Sequence, residues 1–226
     1  MPWYPGSDGI STGFWDGQGW LASLTADHLI LAGRPIPLDD IVEVAYWNHT
    51  IVAVPGPTNN HTGGIYVYRG FSVTDVTGQT SALDLDNPTR TNVPENEVAW
   101  QGLAGISQRF IEPRIAQRIL ATLRAGQEYS IKDGRCFLTL SRDGFTARFL
   151  RTKTYPWSGF DGVEINPVFN NLTVLSGKHG QARVWARSAP NRKTHIVTGL
   201  ETTTPNAVVL STLMPMCAAA FGVRVV

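Results

Sequence analysis

The chain has 226 residues and a mass of 24.7 kDa, which suits one or two domains. Apolar residues make up 42% and charged residues only 16%, which excludes a disordered chain, a coiled coil and a long solvated helix. The formal net charge of +1 hides a split: residues 1–126 carry 7 basic and 12 acidic side chains, net −5, and residues 127–226 carry 12 and 6, net +6.

No apolar run approaches the roughly 18 residues of a membrane span. Met1-Pro2-Trp3-Tyr4-Pro5-Gly6 has neither the basic nor the apolar stretch of a secretory signal. The two cysteines, Cys136 and Cys217, are too few for a disulfide framework or a cysteine zinc site. These features predict a cytoplasmic protein.

Most of the chain reads as strand. Trp20–Leu24, a turn at Thr25–His28 and Leu29–Ala32 form a hairpin pattern. Ile41–Trp47 is a β-branched and aromatic run, and Ile51–Val54 extends it or starts the next strand. Pro55–Gly64 reads as loop, Ile65–Tyr68 and Phe71–Val76 as two strands, and Asp86–Asn96 as a second loop. Gly102 and Gly105 weaken a helix over Glu97–Phe110. Pro113–Arg124 is the stronger helix, with Pro113 at its first position and Ile115, Ile119, Leu120 and Leu123 on one face.

The second half opens with Cys136–Leu140, a Ser141-Arg142-Asp143-Gly144 turn and Phe145–Leu150; Asp-Gly is a favoured hairpin turn. Strands are predicted within Trp157–Ile165 and at Leu172–Leu175, Ala182–Ala186 and Thr194–Thr198. A last helix follows, with Thr204 as N-cap and Pro205 at its start, before Pro215 disturbs it.

The pattern recurs. Leu24…Asp27-His28-Leu29 matches Leu140…Asp143-Gly144-Phe145, and Ile36…Asp40-Ile41…Val44 matches Trp157…Asp161-Gly162…Ile165. Each copy ends in a helix opened by a proline, Pro113 or Pro205. At these residues the chain resembles the bacterial pleckstrin-homology-like domains, and it is similar to an actinobacterial family of unknown function built from the same repeat. The resemblance implies a β-rich α+β fold: two tandem bent sheets or open barrels, each with a C-terminal helix. The first domain then covers residues 1–126, with an aromatic N-terminal segment and long loops, and the second 127–226. Ile41, Val44, Leu120, Leu123, Phe145, Ile165, Val209 and Leu213 are the expected core.

No catalytic constellation emerges. His28, His49, His61, His179 and His195 have no metal-ligand spacing with cysteine. The Gly-x-Gly at Gly17-Gln18-Gly19 lacks the third glycine, the preceding strand and the following helix of a dinucleotide site. Asp40 and Asp161 occupy one repeat position, so they fall in different domains. No cofactor, metal or catalytic residue is assigned. The expected function is non-enzymatic: protein binding or self-assembly into a homo-oligomer, as a structural or adaptor subunit, cytoplasmic or part of a phage particle. The alternative is binding of anionic lipid or nucleic acid by the basic second domain. Candidate partner contacts are the aromatics Trp3, Tyr4, Phe14 and Trp15 and the basic residues Arg148, Arg151 and Lys153.

Overall fold

A computed structural model describes residues 3–5, 12–15, 20–53, 64–85, 94–148, 151–166, 168–171, 180–187 and 193–222. The chain divides into two compact units. One comprises Met1–Ile111 with Pro167–Gly180, the other Glu112–Asn166 with Gln181–Val226. The expected boundary at 126/127 is therefore replaced by one at 111/112. The regrouping deepens the charge split to −6 for the first unit and +7 for the second.

In the first unit, β1 (Trp3–Pro5), β2 (Thr12–Trp15), β3 (Trp20–Leu24), β4 (His28–Leu31) and β5 (Arg34–Pro37) form an antiparallel sheet in chain order. A 3-10 turn, Leu38–Asp40, leads into β6 (Ile41–Ala53), β7 (Gly64–Asp75) and β8 (Thr80–Asp84). These three strands pair antiparallel, and β14 (Val168–Asn171) adds a parallel strand beside β6. The two runs expected on either side of Arg69-Gly70 are one strand. Gly70 permits this, because it lies opposite Trp47 and a Cβ there would fall on the indole.

In the second unit, β9 (Tyr129–Asp133), β10 (Cys136–Leu140), β11 (Gly144–Arg148) and β12 (Thr152–Pro156) form an antiparallel sheet with β9 and β12 at its edges. A 3-10 turn, Trp157–Gly159, precedes β13 (Phe160–Asn166), which pairs with β15 (Gln181–Ala186) and β16 (His195–Glu201). None of the four sheets closes into a barrel among the described residues. The order strand-strand-strand, 3-10 turn, strand-strand-strand, helix thus occurs from β3 to α1 and again from β10 to α3, with β14 intervening in the second run.

Helix α1 (Pro94–Ile106) starts earlier than expected, absorbing the end of the Asp86–Asn96 loop, and runs through a π-helical turn, Ser107–Ile111, into α2 (Glu112–Arg124). Pro113 is therefore not at a helix start. It lacks the N–H that would bond four residues back, and the wider turn just before it accommodates that loss. The first unit's helix is α1, opened by Pro94, while α2 buries Ile115, Ala116, Ile119, Leu120 and Leu123 within the second unit, partly against α3 (Leu210–Phe221). Gly105 has open space where a Cβ would sit, so Gly105→Ala should stabilise the protein by about 0.5–1 kcal/mol in urea denaturation.

Thr204 is not an N-cap either. Residues 202–209 form a run of turns, and Asn206 takes a left-handed conformation (φ 63°) that cannot lie inside a right-handed helix. Its amide donates to Tyr129 Oη at 2.9 Å, and α3 begins four residues later. Pro215 lies inside α3, which continues to Phe221. Seven of the eight expected core residues are buried; Ile165 is only half-buried. Leu172–Leu175, Phe149 and Leu150 and most of the Pro55–Gly64 loop lie outside the described residues.

Candidate functional site

In the first unit, Asp75 and Arg69 tie strands and helix together. Asp75, at the end of β7, accepts bonds from Thr77 N (2.9 Å), Thr77 Oγ1 (2.5 Å) and Gln79 N (3.1 Å), while its other oxygen takes the Arg34 guanidinium. The Thr77 hydroxyl, the Gln79 and Thr77 amides and Arg34 hold its carboxyl at about 2 against an ordinary 3.8. The folded value is depressed, so the stability Asp75 contributes is complete above pH 3.8 and drains away as pH falls towards 2. In acid titrations, wild type should lose more stability than Asp75→Asn between pH 4 and 2; equal slopes would contradict this assignment.

Beneath α1, Asn48 and Arg69 stand opposite each other on β6 and β7, and Arg69 Nη2 lies 3.2 Å from Glu97 Oε2. His49 meets Tyr68 edge-on at 6.1 Å. Asn48, His49 and Arg69 are buried in a strand–helix junction, Tyr68 is half-buried, and the Glu97 side chain is substantially exposed. Of the repeat carboxylates, Asp161 is held by Thr194 and Arg187, which lower its pKa, and lies in a different unit from Asp40. Burial raises the thiol of Cys217 to about 12 and that of Cys136 upward too, so neither is an activated nucleophile. Among the described residues, no group of three His, Cys, Asp or Glu side chains is placed to hold a metal. His61 and His179 lie outside them.

The sheet β9–β12 is different. Its core face is apolar: Ile131, Leu138, Leu140, Phe145, Ala147 and Tyr155 are buried. Its other face carries two rows in register. One is Ser130–Thr139–Thr146–Thr154, laced by Oγ–Oγ contacts of 2.8 Å (Ser130–Thr139) and 3.0 Å (Thr146–Thr154). The other is Lys132–Phe137–Arg148–Thr152. The β9–β10 and β11–β12 connections lie at the same end of the sheet, so Lys132 and Arg135 join Arg148, Arg151 and Lys153 there. All five are exposed, and none has an ion-pair partner among the described residues. Asp133, at the same end, accepts a 2.7 Å bond from Glu201 N.

Backbone geometry gives β12 a second property. Ser141 N donates to Gly144 O at 2.9 Å, so Gly144, Thr146 and Arg148 bond towards β10, while Phe145 and Ala147 bond towards β12. Tyr155 and Lys153 receive those bonds. Thr152, Thr154 and Pro156 turn their backbone groups outward, and no partner meets them among the described residues. The corresponding strand of the first unit is closed. Thr25 N donates to His28 O at 2.9 Å, and the same alternation puts Pro35 and Pro37 at the outward positions of β5. Proline has no N–H, so the β5 positions offer no outward donor.

The structure therefore places Arg148, Arg151 and Lys153 at one end of the sheet, with Arg148 on the outer face and Lys153 in register with Ala147 of the opposite face, and adds Lys132, Arg135 and the β12 edge, which sequence reasoning missed. The recoverable signal was Pro35 against Thr154, each three residues before a 3-10 turn. Trp3 and Tyr4 fall in β1 and Phe14 and Trp15 in β2, with Trp3 paired to Phe14. The expected aromatic patch depends on their side chains, which lie outside the described residues. No family model, curated protein or solved structure matches the chain.

Proposed function

We propose that the chain is a non-enzymatic, self-assembling protein-binding subunit built from two pleckstrin-homology-like units, a structural or adaptor component of a phage particle or bacterial assembly. The observation that carries this reading is the edge of β12. A strand with unpaired, solvent-facing N–H and C=O groups is a template for another strand, and proteins that remain monomeric usually block such edges. This chain carries two prolines on the equivalent edge of its first unit, and among the described residues nothing pairs with that edge in the second. The twofold recurrence of the element order supports the tandem domain assignment. The test is mass in solution. Light scattering on the full chain should return a multiple of 24.7 kDa at micromolar concentration. A monomer at every concentration up to about 100 μM, weaker than the affinities of specific protein pairs, would overturn the reading.

A second reading rests on the five uncompensated basic side chains at one end of the same sheet. It has the second unit binding an anionic lipid surface or nucleic acid there. Sedimentation with phosphatidylserine vesicles, and gel shift with duplex DNA, would each show salt-sensitive binding that Arg148→Ala/Lys153→Ala weakens. No binding to either polyanion at low salt would remove this reading.

A further inference from the structure

We infer that β12 pairs antiparallel with β12 of a second copy, with Thr154 opposite Thr154 across a two-fold axis, joining two four-stranded sheets into one. This rests on the self-assembly reading and names its interface.

Edge strands pair through outward-facing residues, and on β12 these are Thr152, Thr154 and Pro156. An isologous contact must match this set with itself. Setting Thr152 against Thr154 of the second copy would put Lys153 directly opposite Lys153, two like charges at the short cross-strand distance. Moving the register by two residues removes that clash. Thr154 then exchanges both backbone bonds with its twin, and each Thr152 N–H reaches the Pro156 carbonyl of the other strand. Lys153 now faces Tyr155, whose ring lies buried on the core side. Every outward N–H finds a carbonyl, and the residue without a donor, Pro156, is asked only to accept.

The charge pattern favours the same arrangement. The basic residues lie at the Thr152 end of the strand, and the antiparallel two-fold sends the two basic ends in opposite directions. The Thr146–Thr154 hydroxyl contact, 3.0 Å long, already holds the edge strand flat against its neighbour, so little ordering remains to be done on pairing.

Three variants of the full chain test this by sedimentation velocity. Thr154→Pro removes the central donor and copies what the first unit carries at the matching position, where a proline is compatible with the fold. It should raise the dissociation constant at least tenfold while circular dichroism stays unchanged. Lys153→Glu, which in this register opposes no lysine, should shift it by less than threefold. The third, Thr154→Cys in a Cys136→Ser background, should form a disulfide-linked dimer under mild oxidation. Opposed residues of a bonded antiparallel pair lie about 5.5 Å apart at Cα, within disulfide range. Lys153→Cys in the same background should not cross-link.

An assembled protein indifferent to Thr154→Pro and uncrosslinked by Thr154→Cys overturns the interface and leaves the self-assembly reading standing. A wild-type chain that is monomeric throughout overturns both. Assembly lost in Lys153→Glu but kept in Thr154→Pro would mean an acidic partner surface in place of a paired edge, and also overturns the inference. Should Thr154→Pro fail to fold, the cysteine pair decides alone.

Discussion

Phe145→Ala should destabilise the second unit by about 3–5 kcal/mol, read as a lower urea midpoint. Phe145 is 1% exposed. Its ring stacks on Tyr155 and meets Trp157, both at 5.4 Å between centroids, and stands edge-on to Phe160 at 6.3 Å. Trp157 is in turn fixed by its indole N–H on Ser141 O at 3.0 Å and by Phe221 of α3 at 6.4 Å. Removing Phe145 leaves a void among rings that cannot collapse together without moving the 3-10 turn. Since whole-domain stabilities run to about 5–15 kcal/mol, such a loss consumes a large share. The loss should also loosen the β12 edge, because Tyr155 is the buried residue that seats β12. A midpoint within error of wild type would mean that the cluster is not the unit's core.

Gly70→Val should cost about 1–3 kcal/mol in the first unit, by overpacking. Gly70 and Trp47 face each other across β6 and β7, and the indole occupies the space a side chain would need. The strain should be relieved in part by Trp47→Ala, so the double variant should be more stable than the two single effects predict when added. Strict additivity would show that the two residues do not share that space.

What was legible in the sequence follows physical rules that act locally. The hairpin between β10 and β11, the apolar stripe of α2 and the strand from Ile41 are set by turn chemistry and periodicity within a dozen residues, although the turn is made by Arg142 and Asp143 and Gly144 already belongs to β11. Three features were not legible, for the same reason in each case. Gly102 and Gly105 lower helix propensity, yet α1 buries Ala99, Trp100, Leu103 and Ala104, and burial outweighs a cost of about 1 kcal/mol per glycine. Asn206 delays α3 through a bond to Tyr129, 77 residues away in sequence. The unit boundary falls inside a helical run, where composition gives no sign of it. The candidate surface was half visible. Arg148, Arg151 and Lys153 are neighbours in sequence, but Lys132 and Arg135 reach them only through strand register, and an open edge is a property of backbone direction that no single residue type announces.

If β12 pairs with a second copy, its outward amides are bonded in the assembled protein and free in the monomer. Amide hydrogen exchange on the full chain, followed residue by residue at rising concentration, reads this difference. Lys153 and Tyr155, bonded to β11 within one chain, should be protected at every concentration. Thr152 and Thr154 should exchange freely when dilute and become protected as the mass rises. Thr152 and Thr154 amides that still exchange freely in the assembled protein would mean that β12 is not paired.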